Sequence, residues 1–119
     1  MSFERTNNIN TYINIPDIIH SIGLTAYEIS LYIALNKNSN EHGVCLKSKK
    51  VLAEESGMSP TKVSTTKRDL CKPRKELGGK PLIRVEKNFH ENGGNAVDNI
   101  SITDIWEESV RFFEDKNQM

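Results

Sequence analysis

LAEESGMSPTKVSTTKRDL, residues 52–70, reads as two capped helices joined by a tight turn. Ser48, just upstream, caps a helix over Lys49–Ser56 that Gly57 closes. Ser59 caps the next helix, with Pro60 in the first-turn position it favours, and that helix runs to Leu70 or Cys71. The spacing of Ala53, Gly57, Val63 and Leu70 has a physical logic. Ala53 is small where the second helix must cross closely. Gly57 supplies a left-handed backbone that other residues reach only with strain. Val63 and Leu70 lie two turns apart on the buried side of the second helix.

Such spacing is that of a helix-turn-helix, although a plain αα-hairpin can share it. The flanks extend the pattern. Residues 1–14 are polar and Asn-rich and read as an arm. Pro16 opens a short helix through Ile22, with Ile18, Ile19 and Ile22 on one side and Gly23 ending it. Thr25 and Glu28 form a T-x-x-E capping box, so a helix starts at Ala26 and ends near Asn36–Asn38. Tyr27 to Leu35 is apolar almost all round, which predicts a central position in the domain. Gly43–Leu46 suits a short strand. Leu82–Lys87 and Ala96–Ile102 read as paired strands, with Asn88–Asn95 as the hairpin tip. Thr103 caps a last helix from Asp104 to about Glu114.

The order is α-β-α-α-β-β plus a C-terminal helix: mainly α with a small β-hairpin, an α+β class. LTAYEISLYIAL, GVCLKSKKVLAEESGMSPTKVSTTKRDL and KPLIRVEK together resemble the winged helix-turn-helix domains of phage and plasmid replication proteins and related regulators. The resemblance covers Leu24 to Ile102. It implies that the second helix enters the DNA major groove, that the hairpin is the wing, and that Lys47, Lys49 and Lys50 meet phosphates. Two departures stand out. Lys67 takes a position that is apolar in many relatives, so its stem must follow the core edge. The wing tip, NFHENGGN, has no Lys or Arg. The predicted division is an arm over 1–14, the winged domain over 15–102, and a C-terminal helix and tail over 103–119.

Formal net charge is zero, yet its distribution is uneven. Residues 1–44 carry net −2, residues 45–87 net +7 and residues 88–119 net −5. A basic centre suits an anionic partner, because phosphate neutralisation drives sequence-independent nucleic-acid affinity. It equally suits a surface balanced in three dimensions by the acidic ends. Thr61, Lys62, Ser64, Thr65 and Arg68 face away from Val63 and Leu70, and can reach base edges. Lys47, Lys49, Lys50, Ser59, Lys67, Lys72, Arg74, Lys75, Lys80 and Lys87 are the candidate phosphate contacts. Lys49 and Lys50 oppose the dipole of the helix they open, a local cost that favours a binding role.

Ile105, Trp106, Val110, Phe112 and Phe113 give the last helix an apolar face. That face serves either its own core or a homodimer contact that would present two recognition helices to a two-fold site. His42 and Cys45 have the spacing of half a metal site, and only a chance approach of Cys71 and His90 would complete it, so no metal is expected. The chain shows no nucleophile elbow, phosphate-cradling loop or paired carboxylates in an apolar setting, so no enzyme, cofactor or small-molecule substrate is expected. The longest unbroken apolar run, Leu31 to Leu35, is too short to span a membrane. Two cysteines without a secretory signal suit the cytoplasm. The expected function is double-stranded DNA binding in transcription regulation or replication initiation. The alternative is a winged-helix protein–protein interaction module without direct DNA binding.

Overall fold

The computed structural model describes residues 13–87 and 97–117 of the chain. Most of the predicted arm and the predicted hairpin tip, Asn88–Asn95, lie outside the described residues. Among the described residues, helices and strands follow in the order α1 (Ala26–Lys37), β1 (Val44–Cys45), α2 (Lys49–Ser56), α3 (Pro60–Leu70), β2 (Ile83–Glu86), β3 (Asn99–Ile102) and α4 (Trp106–Asn117). The element order and class are those of a winged helix-turn-helix.

Local signals set the helix ends. Both halves of the α1 capping box form: Thr25 Oγ1 accepts the Glu28 N–H at 3.1 Å, and Glu28 Oε1 accepts the Thr25 N–H at 2.8 Å. Ser48 and Ser59 accept the N–H groups of Val51 and Lys62. Gly57 ends α2 at φ 72°, and both its N–H and that of Met58 reach the Ala53 carbonyl. Val63 and Leu70 are fully buried and Ala53 nearly so. Thr66 joins them on the inner face of α3 and donates to Met58 Sδ at 3.8 Å.

The sheet is antiparallel in the order β1-β3-β2. β3 is central: Cys45 and Val85 both lie opposite Ile100, and Ile83 lies opposite Ile102. The short strand over Gly43–Leu46 thus joins the far side of the hairpin, a pairing that the sequence pattern did not specify. Ile100 and Ile83 turn into a core shared with Leu31, Tyr32 and Leu35 of α1, and with Leu52, Val63 and Leu70 of the helix pair.

Three expectations are corrected. Pro16–Ile22 is no α-helix but a single 3₁₀ turn, Asp17–His20; the Ile18 N–H is taken by Ser109 Oγ at 3.1 Å, and Ile18, Ile19 and Ile22 are buried. α1 is less enclosed than its composition suggests, with Tyr27 and Ile33 exposed. Thr103 does not cap α4. Its N–H continues the strand contact to the Leu82 carbonyl, and its hydroxyl is buried with no hydrogen-bond partner among the described residues. The helix therefore begins later, with Asp104 accepting the Trp106 N–H and the Ile105 carbonyl accepting from Ser109.

Polar contacts hold α4 to the body. Besides the Ser109 bond, Lys80 pairs with Glu108 at 2.6 Å. The ammonium hydrogen bond holds the Glu108 carboxyl below its ordinary value. A carboxyl whose folded pKa lies below its unfolded value, about 4.3, stabilises the fold above that value and loses the contribution as pH falls through the folded pKa. Acidification below about pH 4 should therefore loosen α4. Fluorescence of Trp106, the single tryptophan, reads it out, and Lys80→Met should flatten this acid-side dependence.

A Cβ at Gly57 would meet nothing within 4 Å, so the only obstacle to substitution there is the positive φ. Gly57→Val should cost about 1–3 kcal/mol through backbone strain, and Gly57→Asn less, because Asn tolerates this region. Thermal unfolding of the two variants checks the order.

Candidate nucleic-acid interface

The turn at Gly57 places α3 across α2 with one long side outward. Thr61 and Arg68 are exposed and Thr65 half-buried, and their spacing puts all three along one stripe. The Thr65 hydroxyl donates to the Lys62 carbonyl at 3.1 Å. Ser64 sits beside the stripe, half-buried on the sheet side. Lys62 takes the opposite flank, its ammonium 4.3 Å from the centre of the Tyr27 ring on α1. That cation–π contact steadies the lysine without neutralising it.

A groove of about 680 Å³ opens between α3, the start of α2 and the sheet. Leu52, Cys71, Val85, Val97 and Ile100 contribute its apolar lining. Lys47, Lys49, Lys67, Arg68 and Lys87 line its rim together with Asp98. Lysines from the start of α2 and from the end of β2 thus meet the α3 stripe, and Arg68 belongs to both stripe and groove. Lys50, on the first turn of α2, is exposed outside it. Burial pushes the Cys71 and Cys45 thiols up, so both stay protonated and neither is an anion in this setting.

The basic centre divides into paired and unpaired cations. Lys67 is mostly buried and pairs with Asp98 at 3.1 Å, while exposed Lys87 approaches the same carboxylate at 3.8 Å. Lys72 pairs with Asp69, and Lys80 with Glu108. Arg74 turns inward to Glu28 Oε2 at 2.9 Å. Part of the charge asymmetry is thus balanced within the fold, with Glu28, Asp98 and Glu108 coming from the acidic ends of the chain. Lys47, Lys49, Lys50, Arg68 and Lys75 have no carboxylate within 4.0 Å among the described residues. Ser59 is exposed at the N-terminus of α3, its hydroxyl oxygen engaged by the Lys62 N–H.

For two expected phosphate contacts the structure shows a different first commitment. Arg74 supports a buried carboxylate, and Lys67 ties α3 to the base of β3. Sequence spacing carries no signal for either pairing, because the partners lie far apart along the chain. The expected dimer face is also mostly used internally. Ile105 is fully buried, and Phe112 and Phe113 pack on the same core with their rings edge to face at 5.1 Å. Trp106 and Val110 remain exposed. Among the described residues no three His, Cys, Asp or Glu side chains come together to hold a metal; His90 lies outside them. No helix among them is long and apolar enough to cross a membrane.

Glu28 is buried and serves two elements at once, capping α1 and receiving Arg74. Removing Arg74 would leave that carboxylate unpaired. Arg74→Ala should cost about 3 kcal/mol by thermal or urea unfolding, as expected for half of a buried pair. The salt dependence of any nucleic-acid binding should stay unchanged.

No protein-family model and no curated protein matches this sequence. Among solved structures, the chain is similar to a possible transcriptional regulator from Methanosarcina mazei Go1, with a TM-score of 0.52 and 13% identity over 85% of this chain and 79% of that one. At that identity the likeness is one of fold.

Proposed function

We propose that this protein binds double-stranded DNA and regulates transcription, acting without enzymatic activity or cofactor in the cytoplasm. The observation that carries the reading is the convergence of Lys47, Lys49 and Arg68 on one groove beside the outward stripe of α3. Among the described residues no carboxylate pairs with these three, so they are available to phosphate. Thr61, Thr65 and Arg68 supply the hydroxyls and guanidinium that read base edges in a major groove. The solved neighbour described as a possible transcriptional regulator favours transcription over replication initiation. A homodimer on a two-fold site would have to rest on Trp106 and Val110, the exposed apolar side chains of α4.

Readers and anchors should fail differently. Arg68→Ala should cost about 1–3 kcal/mol at a selected site and much less on random duplex. Lys50→Ala should weaken both duplexes alike and lower the slope of log affinity against log salt by about one. Fluorescence anisotropy over a salt series, on a site selected from random duplexes and on random duplex itself, measures both. Equal losses for Arg68→Ala on the two duplexes would make Arg68 an anchor. Wild-type protein that binds neither duplex would point to a protein-interaction module instead.

A further inference from the structure

We infer that Asp98 is an internal competitor for the DNA phosphate, a carboxylate that occupies the cationic groove and holds duplex affinity down. This inference rests on the DNA reading above. Among the described residues five cations line the groove, and Asp98 is the single carboxylate beside them. Its Oδ2 lies 3.1 Å from Lys67 Nζ and 3.8 Å from Lys87 Nζ, so one oxygen faces two ammonium groups. A phosphodiester oxygen seated between α3 and the sheet would seek that same position, because it carries the same charge and accepts the same hydrogen bonds.

The surroundings favour a competitor over a simple brace. Asp98 is 18% exposed and Lys67 14%, so the pair sits on the groove wall rather than in the core. Lys87 is 71% exposed and needs no partner for its solvation. With Asp98 in place, a docking phosphate meets a like charge and two cations already engaged. With Asn in place of Asp98, both ammonium groups can turn to the phosphate. A brace predicts the opposite sign: losing it would loosen β3 from α3 and weaken binding.

The test is fluorescence anisotropy of a random duplex with the full chain, across a salt series, with melting followed by Trp106 fluorescence. Asp98→Asn should bind about tenfold tighter near 0.1 M salt, with a slope steeper by about 0.9 for each phosphate contact released. The double variant Asp98→Asn/Lys67→Gln leaves the net charge of the pair unchanged. It should bind as the wild type does, or slightly tighter through Lys87. An Asp98→Asn protein that melts like the wild type and binds no tighter overturns the inference. If the single variant melts early, the double variant decides: weaker binding with a slope lower by about 0.9 means that Lys67 is already a DNA anchor, which also overturns it. Wild-type DNA binding with unresponsive variants leaves the DNA reading intact. No duplex binding by any form, with all of them folded, overturns both.

Discussion

The arrangement of the helix pair hangs on one carbonyl. The Ala53 oxygen accepts the N–H groups of both Gly57 and Met58, and it can do so because Gly57 takes a left-handed backbone. That turn seats the Met58 side chain against Thr66 and sets α3 across α2. Every side chain of the candidate interface on α3 inherits its direction from this crossing. Tilting α3 would move Arg68 out of the groove and Lys67 away from Asp98. A bond that no ligand touches therefore fixes the geometry a ligand would meet.

Around this turn the protein uses charge in two ways. Glu28–Arg74 and Lys80–Glu108 join segments distant in sequence and work as tertiary ties. Lys47, Lys49 and Lys50 surround the start of α2, where they oppose the helix dipole and where Ser48 supplies the cap. A fold selected only for stability would place acids there. Helix preference does not account for the charge at this end of α2, which is why it belongs to the proposed interface.

The legible parts of the fold were those with short-range causes. Thr25 and Glu28, Ser48 and Ser59, and Gly57 each act on backbone within four residues, so the starts of α1, α2 and α3 and the end of α2 follow from spacing alone. The direction of the α3 stripe follows from Val63 and Leu70 by helical period. Partner choice did not follow. Glu28 looked like a local cap and is also the seat of Arg74; Asp98 looked like an unremarkable strand residue and sits among cations. The start of α4 has a related cause. Thr103 has a capping hydroxyl, but its backbone extends the strand contact to Leu82, and the first-turn N–H of Trp106 goes to Asp104 instead. Likewise the apolar face with Ile105 and the two phenylalanines suits its own core or a second copy equally well by spacing, and the choice is made by the 3₁₀ turn at Asp17–His20 and the Lys75–Leu77 turn, which are brought up to α4.

The position of β3 has a kinetic consequence. Its two neighbours enter the chain on either side of the helix-turn-helix, so β1 can pair only after the whole intervening segment has been brought into a closed loop. Closing that loop sets an entropic barrier that local helix formation does not relieve. β1 is two residues long and has little pairing energy of its own to offset this. Completing the three-stranded sheet therefore carries a loop-closure cost that the β2–β3 hairpin alone does not. The groove beside α3 takes its walls from Lys47 at one end of the chain segment and Ile100 at the other, so it exists only in a chain that extends through β3.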